Sequence, residues 1–203
     1  MKRVILIAVL LIATGIPAQA QRAGGGYGGI IPQTAKQLPP ERRDAPTNTE
    51  GHAEDLRLAG RCDKAVPIFR NLIDSPQGFP ITKYNLGLCL LDLAAADSNA
   101  VQAAQLRQEG AMWIVRAANG GFNRAQAKAV TLYLDGVGMK PDPVEAEKWA
   151  LIYHRNGTRF ALGLPDIDSE IRDRLDAMLS DAQYAQAEAR ADAWVRPVQK
   201  LDR

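Results

Sequence analysis

From about Thr49 onward the apolar residues of the chain recur three and four positions apart, and alternating apolar–polar runs are absent. That spacing predicts helices, because a helix brings the same face round every ~3.6 residues and a strand every ~2. The apolar segments are short and separated by turn residues, which predicts helices in pairs and an internal repeat. In the first pair, Ala53 to Pro76, Ala53, Leu56 and Gly60 share one face of the leading helix. Ala65, Ile68, Phe69 and Leu72 do the same for the second. Small side chains at Ala53 and Ala65 allow close approach, and Phe69 fills the groove between the helices. Pro67 is expected in the first turn of the second helix, where a missing N–H costs little.

A second pair opens at Ile81-Thr82, and Asp97-Ser98-Asn99 offers N-caps for its second helix, which ends at AMWIVRAANGG. A third opens at Asn123 and runs through YLDGVGMKPDPVEAEKW, Tyr133 to Trp149. The Gly-x-Gly in that stretch invites a phosphate-loop reading, but the motif fits neither phosphate fingerprint. A dinucleotide fingerprint needs a third glycine and a preceding strand, and a P-loop needs Gly-Lys-Ser/Thr. Here Gly136 and Gly138 are expected to supply the positive φ angles of a helix corner. Asp142 then serves as N-cap, Pro143 as first helical residue, and Glu145 as the reciprocal partner of a capping box.

GAMWIVRAANGGFNRAQ followed by YLDGVGMKPDPVEAEKW resembles the Sel-one-like repeat, a relative of the tetratricopeptide repeat. Tyr133, Gly136, Gly138, Met139, Asp142, Ala146 and Trp149 fall at the matching spacings. So do Trp113, Ala117, Ala118, Gly121, Ala125 and Gln126 across the previous junction. The match covers about Tyr84 to Gly157, while Ala53 to Pro76 is closer to an ordinary tetratricopeptide pair. Before Trp113 the Gly-x-Gly corner is replaced by LAAADSNAVQ, and after Trp149 the expected Ala-Ala becomes Tyr153-His154, where regular stacking is expected to end. The resemblance implies an all-α fold, a right-handed α/α solenoid of helix pairs. The segment from Ile171 to Trp194 supplies its capping helices, and Ser180 with Gln183 forms a capping box. Trp113 and Trp149 are read as helix-interface packing rather than ligand-stacking aromatics.

Composition changes the picture at the two ends. Met1-Lys2-Arg3, the apolar run Val4 to Ile16 and Ala18-Gln19-Ala20 make residues 1–20 a signal peptide cleaved after Ala20. The run is shorter than the about 20 residues that cross a bilayer, so no stable membrane anchor is expected after cleavage. The expected location is the periplasm. The formal charge of the whole chain is +2, and losing Lys2 and Arg3 leaves acidic and basic residues balanced. Nucleic acid is therefore not an expected partner. Residues 21–50, with AGGGYGG and QLPPERRDAP, read as a Gly/Pro-rich flexible leader, and residues 51–203 as the helical-repeat domain.

Candidate chemistry is sparse. Cys62 and Cys89 either form a bridge, closing a loop of roughly 27 residues and adding about 3 kcal/mol by chain entropy, or pack as buried thiols. His52 and His154 have no metal-ligand spacing with each other or with the cysteines, and neither sits beside a nucleophile. No catalytic residue, metal or cofactor is expected, and His154 is expected at the surface. By resemblance, the first helix of each pair lines an inner groove for a protein or peptide partner. Glu54, Arg57, Tyr84, Asn85, Leu88, Asp92, Lys128, Thr131 and Asp135 would lie on it. The function implied is a periplasmic protein–protein interaction module, as adaptor, scaffold or regulator of a cell-envelope process. Two alternatives are a negative regulator of a sensor or exopolysaccharide pathway and, on weaker grounds, a cell-wall-ligand-binding or hydrolytic enzyme.

Overall fold

Thr49 accepts the amide of His52 and starts α1 (Glu50–Leu58), so helical order begins just inside the segment read as leader. The structure, a computed structural model, describes residues 49–74 and 79–196. The segment read as a signal peptide, and most of the one read as a leader, lie outside the described residues. Gly60, with φ +71°, takes no part in α1's apolar face. It turns the chain after the helix end, where the Arg61 amide donates to Leu56 O at 2.8 Å. Next, α2 (Cys62–Ile73) starts at Cys62, so Pro67 sits inside the helix and not in its first turn. The ring is exposed, where its missing N–H deprives no buried partner. Ala53, Ala65 and Phe69 have no exposed surface and form the α1–α2 seam.

Pro80 opens α3 (Pro80–Ala96), and Asn99 caps α4 (Ala100–Asn119) by accepting the amides of Val101 and Gln102. These two helices approach closely where Gly87 meets Gly110. A Cβ at Gly87 would lie 2.6 Å from Ile114 Cγ1 and 2.7 Å from Gly110 O. After α5 (Asn123–Asp135), Gly136 and Gly138 turn the chain at φ +70° and +71°. A side chain at Gly138 would also collide with the Arg107 carbonyl, so that corner lies against α4. Asp142 accepts the Glu145 amide at 3.0 Å and starts α6 (Pro143–His154) with Pro143 in the first turn. The reciprocal half of the capping box does not form. The Glu145 carboxylate instead holds Lys148 and, at 3.2 Å, Arg190 of the last helix.

Each helix up to α6 packs on the next in sequence, as stacked pairs require. The regularity stops at His154. After α7 (Gly157–Ala161) and α8 (Ser169–Met178), α9 (Asp181–Asp192) returns to lie on α6. Ser180 and Gln183 make the full capping box of α9, and the buried Ala187 and Ala191 form its packing face. All nine elements among the described residues are helices. Trp149 is fully buried with Trp194 edge-on to it at 6.4 Å, whereas Trp113 is only half-buried and donates to Glu109 at 3.1 Å. Gln126, fully buried, joins two corners: it donates to Ala118 O at 3.4 Å and accepts from Asn156 at 2.6 Å.

Candidate functional site

Helices α3 and α5, the leading members of consecutive pairs, share an open cleft of about 370 Å³. Tyr84 of α3 forms one side, and Arg124, Ala127, Lys128 and Thr131 of α5 form the floor. Tyr153 of α6 with Leu164 and Pro165, from the turn after α7, closes the other side. Arg124, Lys128 and Thr131 fall together because residues four and three apart share a helix face.

The two tyrosines are fixed from below. Tyr84 stacks edge-to-face on Phe122 with ring centroids 5.2 Å apart. Tyr153 donates its hydroxyl proton to Pro165 O at 2.9 Å. Burial pushes the Tyr84 hydroxyl up, only partly opposed by the positive charges of Arg124 and Arg57. Burial likewise raises Tyr153, with Arg159 pulling the other way. Both therefore stay protonated at neutral pH and offer neutral hydroxyls beside a positive floor.

The wall that carries Pro165 is held by Arg159, which is 5% exposed. Its guanidinium donates to Leu164 O at 3.2 Å and His154 O at 3.0 Å and lies over the Phe160 ring. Asp166 bonds the exposed His154 ring through Nδ1. Burial pushes the Asp166 carboxyl up, but the His154 bond, the Ile167 amide and Arg159 outweigh it and leave the group below its ordinary range.

Of the nine residues assigned to the groove from sequence, the cleft brings together Tyr84, Lys128 and Thr131. Arg57 lies near enough to act on Tyr84, and it pairs loosely with Glu54 at 3.8 Å on α1. Leu88 is half-buried against the core, and Asp92 is exposed further along α3. Asp135 is exposed and engaged by Arg174 of α8 at 2.6 Å. Asn85 is a correction: at 2% exposed it is not an accessible lining residue. Because α3 packs against both α2 and α4, little of its circumference is free for a groove.

Sequence reasoning passed over Arg124, Tyr153, Leu164 and Pro165. Arg124 was detectable, one helical turn before Lys128. Tyr153 and the 164–165 turn lie where the repeat pattern breaks, so no periodicity pointed to them.

Cys62 and Cys89 are bonded, with Cα atoms 5.0 Å apart, and tie α2 to α3. Both are buried, at 4% and 0% exposed. A larger cleft of about 720 Å³ lies among Arg155, Asn156, Asp192, Trp194 and Arg196. Its cations are already used: Arg155 pairs with Asp192 and Glu188, and Arg196 donates to Gly121 O at 2.8 Å. Among the described residues no cluster of metal-ligating side chains occurs, and no helix is long and apolar enough to cross a membrane.

No protein-family model matches the chain, and no curated protein matches it. Among solved structures, the chain is similar to c5321, a protective antigen present in uropathogenic Escherichia coli strains that displays an SLR fold. The TM-score is 0.56 and the identity 24%, over 71% of this chain and 28% of the other. The fold is thus the all-helical SLR fold, the Sel-one-like repeat architecture. The chain spans little more than a quarter of the length of the protein it matches.

Proposed function

We propose that the protein is an interaction module that docks a segment of a partner protein in the cleft between α3 and α5. The observation that carries this reading is a cleft with fixed aromatic walls and a floor whose two cations have no ion-pair partner among the described residues. A preformed, largely rigid site lowers the ordering cost of binding. Catalysis has less support. Asp142 is used as a helix cap, and the ring of His154 contacts Asp166 and Phe160, with no nucleophile bonded to it among the described residues.

We place this role in the periplasm, as adaptor, scaffold or regulator of a cell-envelope process. Two features support that location: the basic, apolar and small-residue order of residues 2–20, and a disulfide, which persists in oxidising compartments. Photo-crosslinking residues placed singly at Tyr84 and Lys128 test the docking site, with the 70% exposed Val101 of α4 as control. The expected result is capture of one and the same protein from both cleft positions and none from Val101. Equal capture at all three, or none at the cleft, contradicts the reading.

A further inference from the structure

We propose that the cleft takes an extended acidic peptide whose carboxylates are held by Arg124 and Lys128. This rests on the docking reading above and adds the chemistry of the occupant. The lining contains those two cations and no acidic side chain. Several arginines elsewhere are paired, Arg155 with Asp192, Arg172 with Glu147, Arg174 with Asp135 and Arg190 with Glu145, although Arg107 and Arg116 also carry no ion pair among the described residues; what sets Arg124 apart is its place in a cleft lined by no acid. Arg124 and Lys128 have no such partner among the described residues.

Three acids on the elements around the cleft are engaged. Asp135 is held by Arg174, Asp166 by His154 with Arg159 at 3.8 Å, and Glu54 faces Arg57. None of these three, and no residue of the lining itself, offers a free carboxylate to the floor. Arg57 of α1, which also acts on Tyr84, extends the positive side toward the first helix pair. Its Nε is buried with no hydrogen-bond partner among the described residues.

Geometry sets the rest of the pattern. One turn of α5 separates Arg124 from Lys128, so their heads can straddle one carboxylate or take two neighbouring ones. The guanidinium offers a planar fork and the ammonium a point charge, which together tolerate either Asp or Glu. Tyr84, Tyr153, Leu164 and Pro165 flank them with apolar surface. The occupant is therefore an acidic residue next to an aromatic or aliphatic one, in extended chain. A phosphate backbone carries the same sign of charge, but its binding depends on many cations spread along a strand, and this floor has two.

Panning a library of random short peptides against the full, disulfide-bonded chain tests the proposal. Enriched sequences are expected to be rich in Asp and Glu beside an apolar residue. Their affinity, read by fluorescence polarisation, is expected to weaken with salt. In the double variant Arg124→Gln, Lys128→Gln it should fall at least about tenfold, the loss expected when charged contacts worth ~1.4 kcal/mol disappear. Gln removes the charge of these exposed or half-buried side chains while keeping a polar, helix-compatible residue, and an unchanged melting curve verifies the fold. Neutral or basic peptides that enrich and still lose affinity in a Tyr84→Ala variant overturn the acidic assignment but leave docking in place. Failure to enrich any peptide overturns both. Displacement of the enriched peptide by a single-stranded oligonucleotide that needs the same two cations reassigns the cleft to phosphate.

Discussion

Glu147 is an acid in the wrong place for an acid: its side chain is wholly buried, one oxygen accepts from Arg172 at 2.7 Å, and the other has no partner among the described residues. Burial raises its pKa above the ordinary value of 4.5, and the Arg172 bond and charge offset only part of the rise. The sign follows. The folded state disfavours the ionised form, so this group's contribution is fully present below about 4.5 and is lost as pH rises through the raised value. Glu147→Gln keeps the shape and the oxygen that Arg172 needs and removes the titration. Melting temperature against pH should therefore show a shallower decline above pH ~4.5 in the variant. An unchanged decline would mean that Glu147 is not the group responsible. At this scale the sequence was silent, because a glutamate two places before Trp149 reads as part of a solvated face. Packing of α8 on α6 brings Arg172 to it, a long-range contact that the local sequence does not announce.

At the scale of elements, the corners were the most legible parts and the helix faces the least. Gly136 and Gly138 announce a corner because two positive φ angles close together require residues without a Cβ, and Asp142-Pro143 announces the next start. The Glu145 carboxylate escaped prediction because a long-range partner, Arg190, competes with the local cap. Asn85 escaped for a related reason, since its burial depends on α3 being covered by both α2 and α4. The disulfide belongs to this scale, fastening the first helix pair to α3 across a separation of 27 residues. Replacing both cysteines by alanine should lower stability by about 3 kcal/mol, read as a shift of the urea midpoint. Hydrogen exchange in the variant should rise first in α1 and α2, while α5, α6 and α9 stay protected, because the bond does not touch them. Uniform loss of protection would show a single cooperative unit instead.

For the whole molecule, the pairs up to α6 build the stack and the irregular C-terminal part finishes it. The last turn of α6 supplies Tyr153 and the irregular part supplies Leu164 and Pro165, so the wall of the cleft comes from residues at and beyond the point where the repeat pattern breaks. This is why the sequence showed only three of the eight lining residues, Tyr84, Lys128 and Thr131. Lys128 and Thr131 of α5 were placed on the groove by the resemblance to the repeat, whereas the wall depends on where the chain turns after His154. The central claim is that a partner segment lies between α3 and α5. It is tested most directly by titrating the enriched acidic peptide into the isotope-labelled chain and following backbone amide resonances. The account predicts that shifts concentrate at Tyr84, Arg124, Lys128, Thr131 and Tyr153, with the Arg155–Trp194 cleft unmoved. Shifts gathered around Arg155, Asp192 and Trp194, with the α5 stripe silent, would contradict it.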